Sequence, residues 1–144
     1  MTYFKNESGF TLLELLFVLM IVMLLVWIVF PALHNQYVKH EIDHFFRVFD
    51  SDILFIQNQK LEGRDLWIHL KRDHYIVKER NKNSIHTRYY PKHLGPQSFA
   101  RHQIEYSKTG SVKNPYTYNF YDVNNKRYKV VFPFGKGRHY IEQE

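Results

Sequence analysis

The stretch that most limits what this chain can become runs from Gly9 to Pro31: Gly-Phe-Thr-Leu-Leu-Glu-Leu-Leu-Phe-Val-Leu-Met-Ile-Val-Met-Leu-Leu-Val-Trp-Ile-Val-Phe-Pro. Every side chain from Leu15 to Phe30 is apolar. Counted from Phe10, the run holds about twenty residues, which as a helix would span roughly 30 Å, the thickness of bilayer hydrocarbon. A helix that is apolar on all sides needs an apolar surround, either a large core or a membrane. Glu14 spoils a plain transmembrane reading. It sits one turn inside the run, where an unpaired carboxylate costs several kcal/mol, so it demands a partner.

An ordinary secretory signal fits poorly. Its apolar region is shorter, carries no acid and ends in a small-x-small cleavage site, whereas this run ends in Phe30-Pro31-Ala32-Leu33. The ordered string Gly9-Phe10-Thr11-Leu12-Leu13-Glu14 instead resembles the processing site of type IV pilin-like proteins. The resemblance implies that a membrane peptidase, the prepilin peptidase, cuts between Gly9 and Phe10 on the cytoplasmic side and that Phe10 is then N-methylated. It also implies that Glu14 neutralises the new ammonium of a neighbouring subunit's Phe10. The physics agrees, because neither charge is tolerable alone in an apolar filament core.

Residues 1–9 are read as a leader in which Lys5 holds the N-terminus in the cytoplasm, so that everything after Pro31 lies outside the membrane. The apolar pattern continues past Pro31, which is expected to kink a helix there without ending it. Val38, Ile42, Phe45, Phe49, Ile53 and Ile56 recur at spacings of three and four, with Phe46 alongside, and Lys39, Glu41, Asp43, Arg47, Asp50 and Asp52 take the remaining positions. This predicts one long helix from about residue 10 to about residue 61: a transmembrane and assembly half over 10–31 and an amphipathic half over 32–62, stopped by Glu62-Gly63-Arg64. Pilin-like proteins share this two-part helix, and a proline at the position of Pro31 recurs in them.

Beyond Gly63 the hydrophobic period changes to two. Leu66, Ile68 and Leu70 alternate with Trp67, His69 and Lys71, and Tyr75-Ile76-Val77 returns after Arg72-Asp73. Further strands are predicted over 84–90, 99–107, 116–123, 127–134 and 139–141, with residues 91–98 as a loop and Asn124-Asn125-Lys126 as a hairpin turn. The fold class is α+β: a long N-terminal helix packed on a small antiparallel β-sheet formed by 63–144. Aromatic content of 17% suits strands with packed faces. The chain has no cysteine, so disulfides and thiolate metal sites are excluded, and the outer domain is held by packing alone.

His40-Glu41-Ile42-Asp43-His44 spells the H-E-x-x-H zincin motif on a helix. No third ligand is marked, and Lys39 and Asp43 suit a solvated face better than a catalytic helix. No enzyme activity, metal or cofactor is expected. The formal charge of +6, from 20 Lys plus Arg against 14 Asp plus Glu, allows contact with DNA or with an anionic wall. The candidate contacts are Lys78, Arg80, Lys82, Arg88, Lys126, Arg127, Lys136 and Arg138, with tyrosines available to stack on single-stranded bases.

The tail, Tyr128 to Phe134 followed by Gly135-Lys136-Gly137-Arg138-His139-Tyr140-Ile141, looks like the ending of minor pseudopilins from Gram-positive competence systems. That likeness implies a single-pass protein of the cell membrane, reaching the cell surface after assembly and needed for DNA uptake. Its implied partners are other major and minor pseudopilins, the prepilin peptidase and, indirectly, an assembly ATPase and a membrane platform protein. A type II secretion pseudopilin and a type IV pilus minor pilin are the alternatives.

Overall fold

The computed structural model describes residues 11–80, 82, 84–98, 102–135 and 137–144, with residues 31, 32 and 34 by backbone alone. The chain divides into two compact units, residues 1–39 and 40–144. The helix α1 spans Leu12–Leu61. It starts at Thr11, whose carbonyl accepts from the Leu15 N–H at 3.1 Å and whose hydroxyl accepts from the Glu14 N–H at 3.3 Å. Thr11 and Glu14 therefore occupy the first and last positions of a capping box, Thr-x-x-Glu. The helix ends as its sequence predicts. Gly63 takes φ +90°, its N–H donates to the Lys60 carbonyl at 3.1 Å, and the Arg64 N–H donates to the Gln59 carbonyl at 2.9 Å. That pair of bonds is a Schellman cap, which requires a residue able to adopt a left-handed conformation.

In the second unit the described residues form eight strands: β1 Leu66–Leu70, β2 His74–Glu79, β3 His86–Tyr89, β4 Leu94–Pro96, β5 Gln103–Glu105, β6 Tyr116–Asp122, β7 Arg127–Phe132 and β8 Tyr140–Gln143. The α+β class and the antiparallel pairing hold, but the strands divide into two sheets of four, ordered β3-β2-β1-β5 and β4-β6-β7-β8. Alternation along a strand shows which residues face inward, and it does not show which strands share a sheet. The stretch 91–98, expected to be a loop, contributes β4, which pairs with β6 through Leu94–Asp122, Gly95–Tyr121 and Pro96–Phe120. Pro96 is tolerated because β4 is an edge strand and needs to donate on one side only. The 127–134 strand stops at Phe132, and Phe134 lies 87% exposed in the following turn.

One stripe of α1 supplies the centre of this unit. Ile42, Phe45, Phe46, Phe49, Ile53 and Ile56 are all buried. The Phe49 ring lies 4.9 Å from Tyr75 of β2, and the Phe46 ring lies 5.1 Å from Tyr128 of β7 and 5.7 Å from Phe120 of β6. The stripe is thus shared, one edge meeting the first sheet and the other meeting the second. Each buried phenylalanine contributes about 2–3 kcal/mol of transfer free energy, before packing is counted. The turn between β6 and β7 is an Asx turn as well as a hairpin. Asp122 is buried, and its carboxylate accepts from the N–H groups of Asn124 at 2.8 Å and Lys126 at 2.9 Å while Asn125 takes φ +60°.

Candidate membrane and assembly site

In the first unit the described apolar residues from Leu12 to Phe30 are all exposed, from 48% at Val29 to 81% at Leu12 and Trp27. α1 is long and apolar enough to cross a membrane. Exposed apolar surface on this scale needs lipid or other helices against it. Leu12, Leu15, Leu16, Leu19, Met20, Met23, Leu24 and Trp27 line one continuous apolar face. Helical periodicity puts Glu14 on the opposite side. Among the described residues no cation and no hydrogen-bond donor reaches the Glu14 carboxylate. Its backbone N–H is committed to the cap at Thr11. Gly9 and Phe10, the expected processing pair, lie outside the described residues. Pro31 lies within α1, which runs through that position without a break.

His40 and His44 are both exposed on α1. Among the described residues no group of three His, Asp or Glu side chains stands close enough to hold a metal ion, so the H-E-x-x-H spelling gathers no third ligand.

The structure divides the eight basic candidates. Arg88 is not free for a ligand: its Nε donates to Asp52 of α1 at 2.6 Å and its Nη2 donates to the same carboxylate at 3.3 Å. Arg80 pairs with Asp65, Lys82 with Glu79 at 3.2 Å, and Arg127 with Glu144. Lys78 is half-buried, Lys126 and Arg138 are exposed, and Lys136 lies outside the described residues. These positions are scattered over several turns and strands and form no single stripe.

Asp52, placed among the polar positions of the helix by its sequence, is structural, and so is Lys60, which the sequence reading did not single out. Asp52 lies on the apolar stripe, spaced three from Phe49 and four from Ile56, and is 6% exposed. Besides Arg88 it accepts a hydrogen bond from the Tyr75 hydroxyl at 2.8 Å. Burial, and then the bond to Asp52, push the Tyr75 phenol well above its usual range. Lys60, also buried, closes the helix end against Asp65 and lies 3.6 Å from Glu105. Only the spacing could have revealed either residue, since both continue the three-four pattern of the stripe. The Thr11 cap was legible in the string Thr-Leu-Leu-Glu and was missed because its glutamate already had an expected role.

With this geometry in place, the comparisons agree with one part of the chain. Residues 4–30 match the family model of the prokaryotic N-terminal methylation motif. The matched segment covers the Gly9-Phe10 pair, Glu14 and the apolar run, and it supports a type IV pilin-like protein: a structural subunit processed by a prepilin peptidase and assembled with other pilins. No curated protein matches the chain, and no solved structure matches it.

Proposed function

We propose that this chain is a pilin-like subunit that enters the cell membrane through α1, is cut between Gly9 and Phe10, is methylated at Phe10 and joins a filament through the apolar half of its helix. The carrying observation is Glu14: a carboxylate with no partner among the described residues, one turn into an exposed apolar helix and inside the methylation motif. In a filament the Phe10 ammonium of an adjoining subunit supplies the missing charge, and the pairing sets the axial register. The domain from residue 63 onward lies outside the membrane. More narrowly, the chain is a minor pseudopilin of a competence pseudopilus that helps bring DNA across the envelope; this rests on the likeness of the tail.

The test is the N-terminal residue of the mature protein by mass spectrometry. N-methylphenylalanine at Phe10 is expected; protein still beginning at Met1 in cells that assemble their filaments overturns the reading. The narrower assignment is tested by gene deletion. Loss of DNA uptake supports it, and loss of protein export or of surface pili with normal uptake assigns the chain to one of the other filament systems.

A further inference from the structure

A second site is built where the turn between β1 and β2 meets the segment that follows β4. A cavity of about 340 Å³ is lined there by Lys71, Arg72, Pro96, Gln97, Ser98 and His102. Each wall is held by backbone bonds. The Lys71 N–H donates to the His74 carbonyl at 2.9 Å, closing the turn that carries Lys71 and Arg72. The Leu70 N–H donates to the His102 carbonyl at 2.7 Å, and the Gln97 N–H donates to the Asn119 carbonyl at 2.9 Å. The Gln97 side-chain oxygen accepts from Asn119 at 3.1 Å, which leaves its amide group as a donor.

The turn between β1 and β2 carries two cations, Lys71 and Arg72, and one acid, Asp73. Arg64, Arg80, Lys82, Arg88, Lys113, Arg127 and Lys129 all sit on carboxylates. Lys71 and Arg72 are exposed and have no ion pair among the described residues. The Asp73 carboxylate is exposed, lies 2.6 Å from the His74 ring nitrogen and has its pKa lowered chiefly by that bond and to a smaller extent by Lys71. The His69 ring, 6.5 Å from that of His102, has its pKa lowered first by burial and then by Lys78, His102, Lys71 and His74. A net positive charge, two cations against one acid, thus stands beside a concave wall that also carries a serine hydroxyl and an amide.

We infer that this cavity is a docking site for a phosphodiester group of a polyanionic chain, with Lys71 and Arg72 on the phosphate oxygens and Ser98 and Gln97 as neutral donors. Arg72 suits two oxygens of one phosphate, whereas Lys71 acts as a point charge. Sites that track a phosphate backbone combine such cations with neutral donors and read no sequence. The inference deepens the DNA-uptake reading by giving its partner chemistry a place on the chain, and it rests on that reading only for the source of the ligand. DNA and a poly(glycerol phosphate) wall polymer both present the required group.

The experiment uses the full chain in neutral detergent, with a labelled DNA duplex and poly(glycerol phosphate) as separate probes over a series of salt concentrations. K71Q/R72Q removes the two site cations. K92Q/K108Q removes two exposed cations elsewhere and controls for net charge. The expected result for the duplex is about tenfold weaker binding with K71Q/R72Q and a log–log salt slope shallower by about 1.8, two contacts at about 0.9 each. The control should change affinity less than about threefold. The same contrast on poly(glycerol phosphate) alone supports the site and names the wall polymer as its source. Equal losses in the two variants, or no binding of either polymer, overturn the inference. Because processing at Phe10 is measured separately, that failure stays distinct from failure of the filament-subunit reading.

Discussion

At the residue scale, Glu14 shows how one side chain can have its backbone and its carboxylate serve different ends. Its N–H helps cap the helix through Thr11, while the carboxylate is proposed to meet the Phe10 ammonium of an adjoining subunit. Glu14→Ala keeps the first role and loses the second. Cleavage should stay at the wild-type level, and the amount recovered in the sheared filament fraction should fall at least tenfold, read by immunoblot. Normal filament entry by that variant would remove the charge-pair role. Asp52 is the corresponding residue of the second unit. Removing it strands the Tyr75 hydroxyl in the core and frees a guanidinium held by two bonds. Loss of one partner from a buried pair costs about 3–5 kcal/mol. Arg88 is 41% exposed and can turn to water, so Asp52→Ala should cost about 3 kcal/mol, at the lower end of that range. Denaturant titration measures it. The Asp52→Ala/Arg88→Met double variant should lose less than the sum of the single changes, because the two act on one interaction.

At the element scale, the most constrained contact joins two turns to the helix. Gln57 of α1 donates to the Gly110 carbonyl at 2.8 Å and to the Gly137 carbonyl at 3.0 Å. A Cβ on Gly137 would stand 2.2 Å from the Gly110 oxygen and 2.7 Å from the Gln57 amide nitrogen. The first neighbour is backbone and cannot yield without moving the turn. Gly137→Ala should therefore destabilise the second unit by about 1–3 kcal/mol, the usual cost of overpacking, and loosen the approach to β8. Thermal unfolding and amide exchange across Tyr140–Gln143 would show both effects. Unchanged exchange there would mean that this contact does not hold the strand. The same turn carries His139, whose ring stacks on Phe132 and whose Nε2 lies 2.6 Å from Asp50 of α1. The last strand is thus tied to the helix by side chains as well as by its pairing with β7.

At the scale of the whole molecule, the absence of cysteine leaves packing and ion pairs to hold the second unit, and the ion pairs set its response to pH. Asp65, Asp73, Glu79 and Glu144 all have depressed pKa values, held down chiefly by Lys60, His74, Arg64 and Lys129 respectively. A carboxylate whose folded pKa lies below its unfolded value stabilises the fold above that unfolded value, about 4, and loses the contribution as pH falls through the folded one. Stability should begin to fall below about 6.5, where the unfolded chain takes up a proton that His69, its folded pKa lowered by burial, does not, and should decline further below about 5, this second part more gently at high salt because the Asp73 and Glu144 carboxylates are exposed. Tyr75, Tyr90 and Tyr106 act at the other end. Burial raises their pKa values, so the unfolded chain ionises first and stability should fall as pH climbs past the ordinary tyrosine value of about 10. Urea midpoints across both ranges, with and without added salt, test the sign at each end.

The sequence by itself determined the long helix, its membrane-length half, its stop at Gly63, most of the strands and the motif that carries the proposed role. These are local properties, written in the period of apolar residues and in short strings such as Gly-Phe-Thr-Leu-Leu-Glu and Glu-Gly-Arg. Only the tertiary structure decided that the strands form two sheets, that residues 94–96 are one of those strands, that Asp52 and Lys60 face inward, and that Arg88 is held by an ion pair while Lys71 and Arg72 have none among the described residues. Each of these depends on which distant segments come together. Pairing between segments far apart in the chain is settled by the packing of the whole, and no single window of residues contains it.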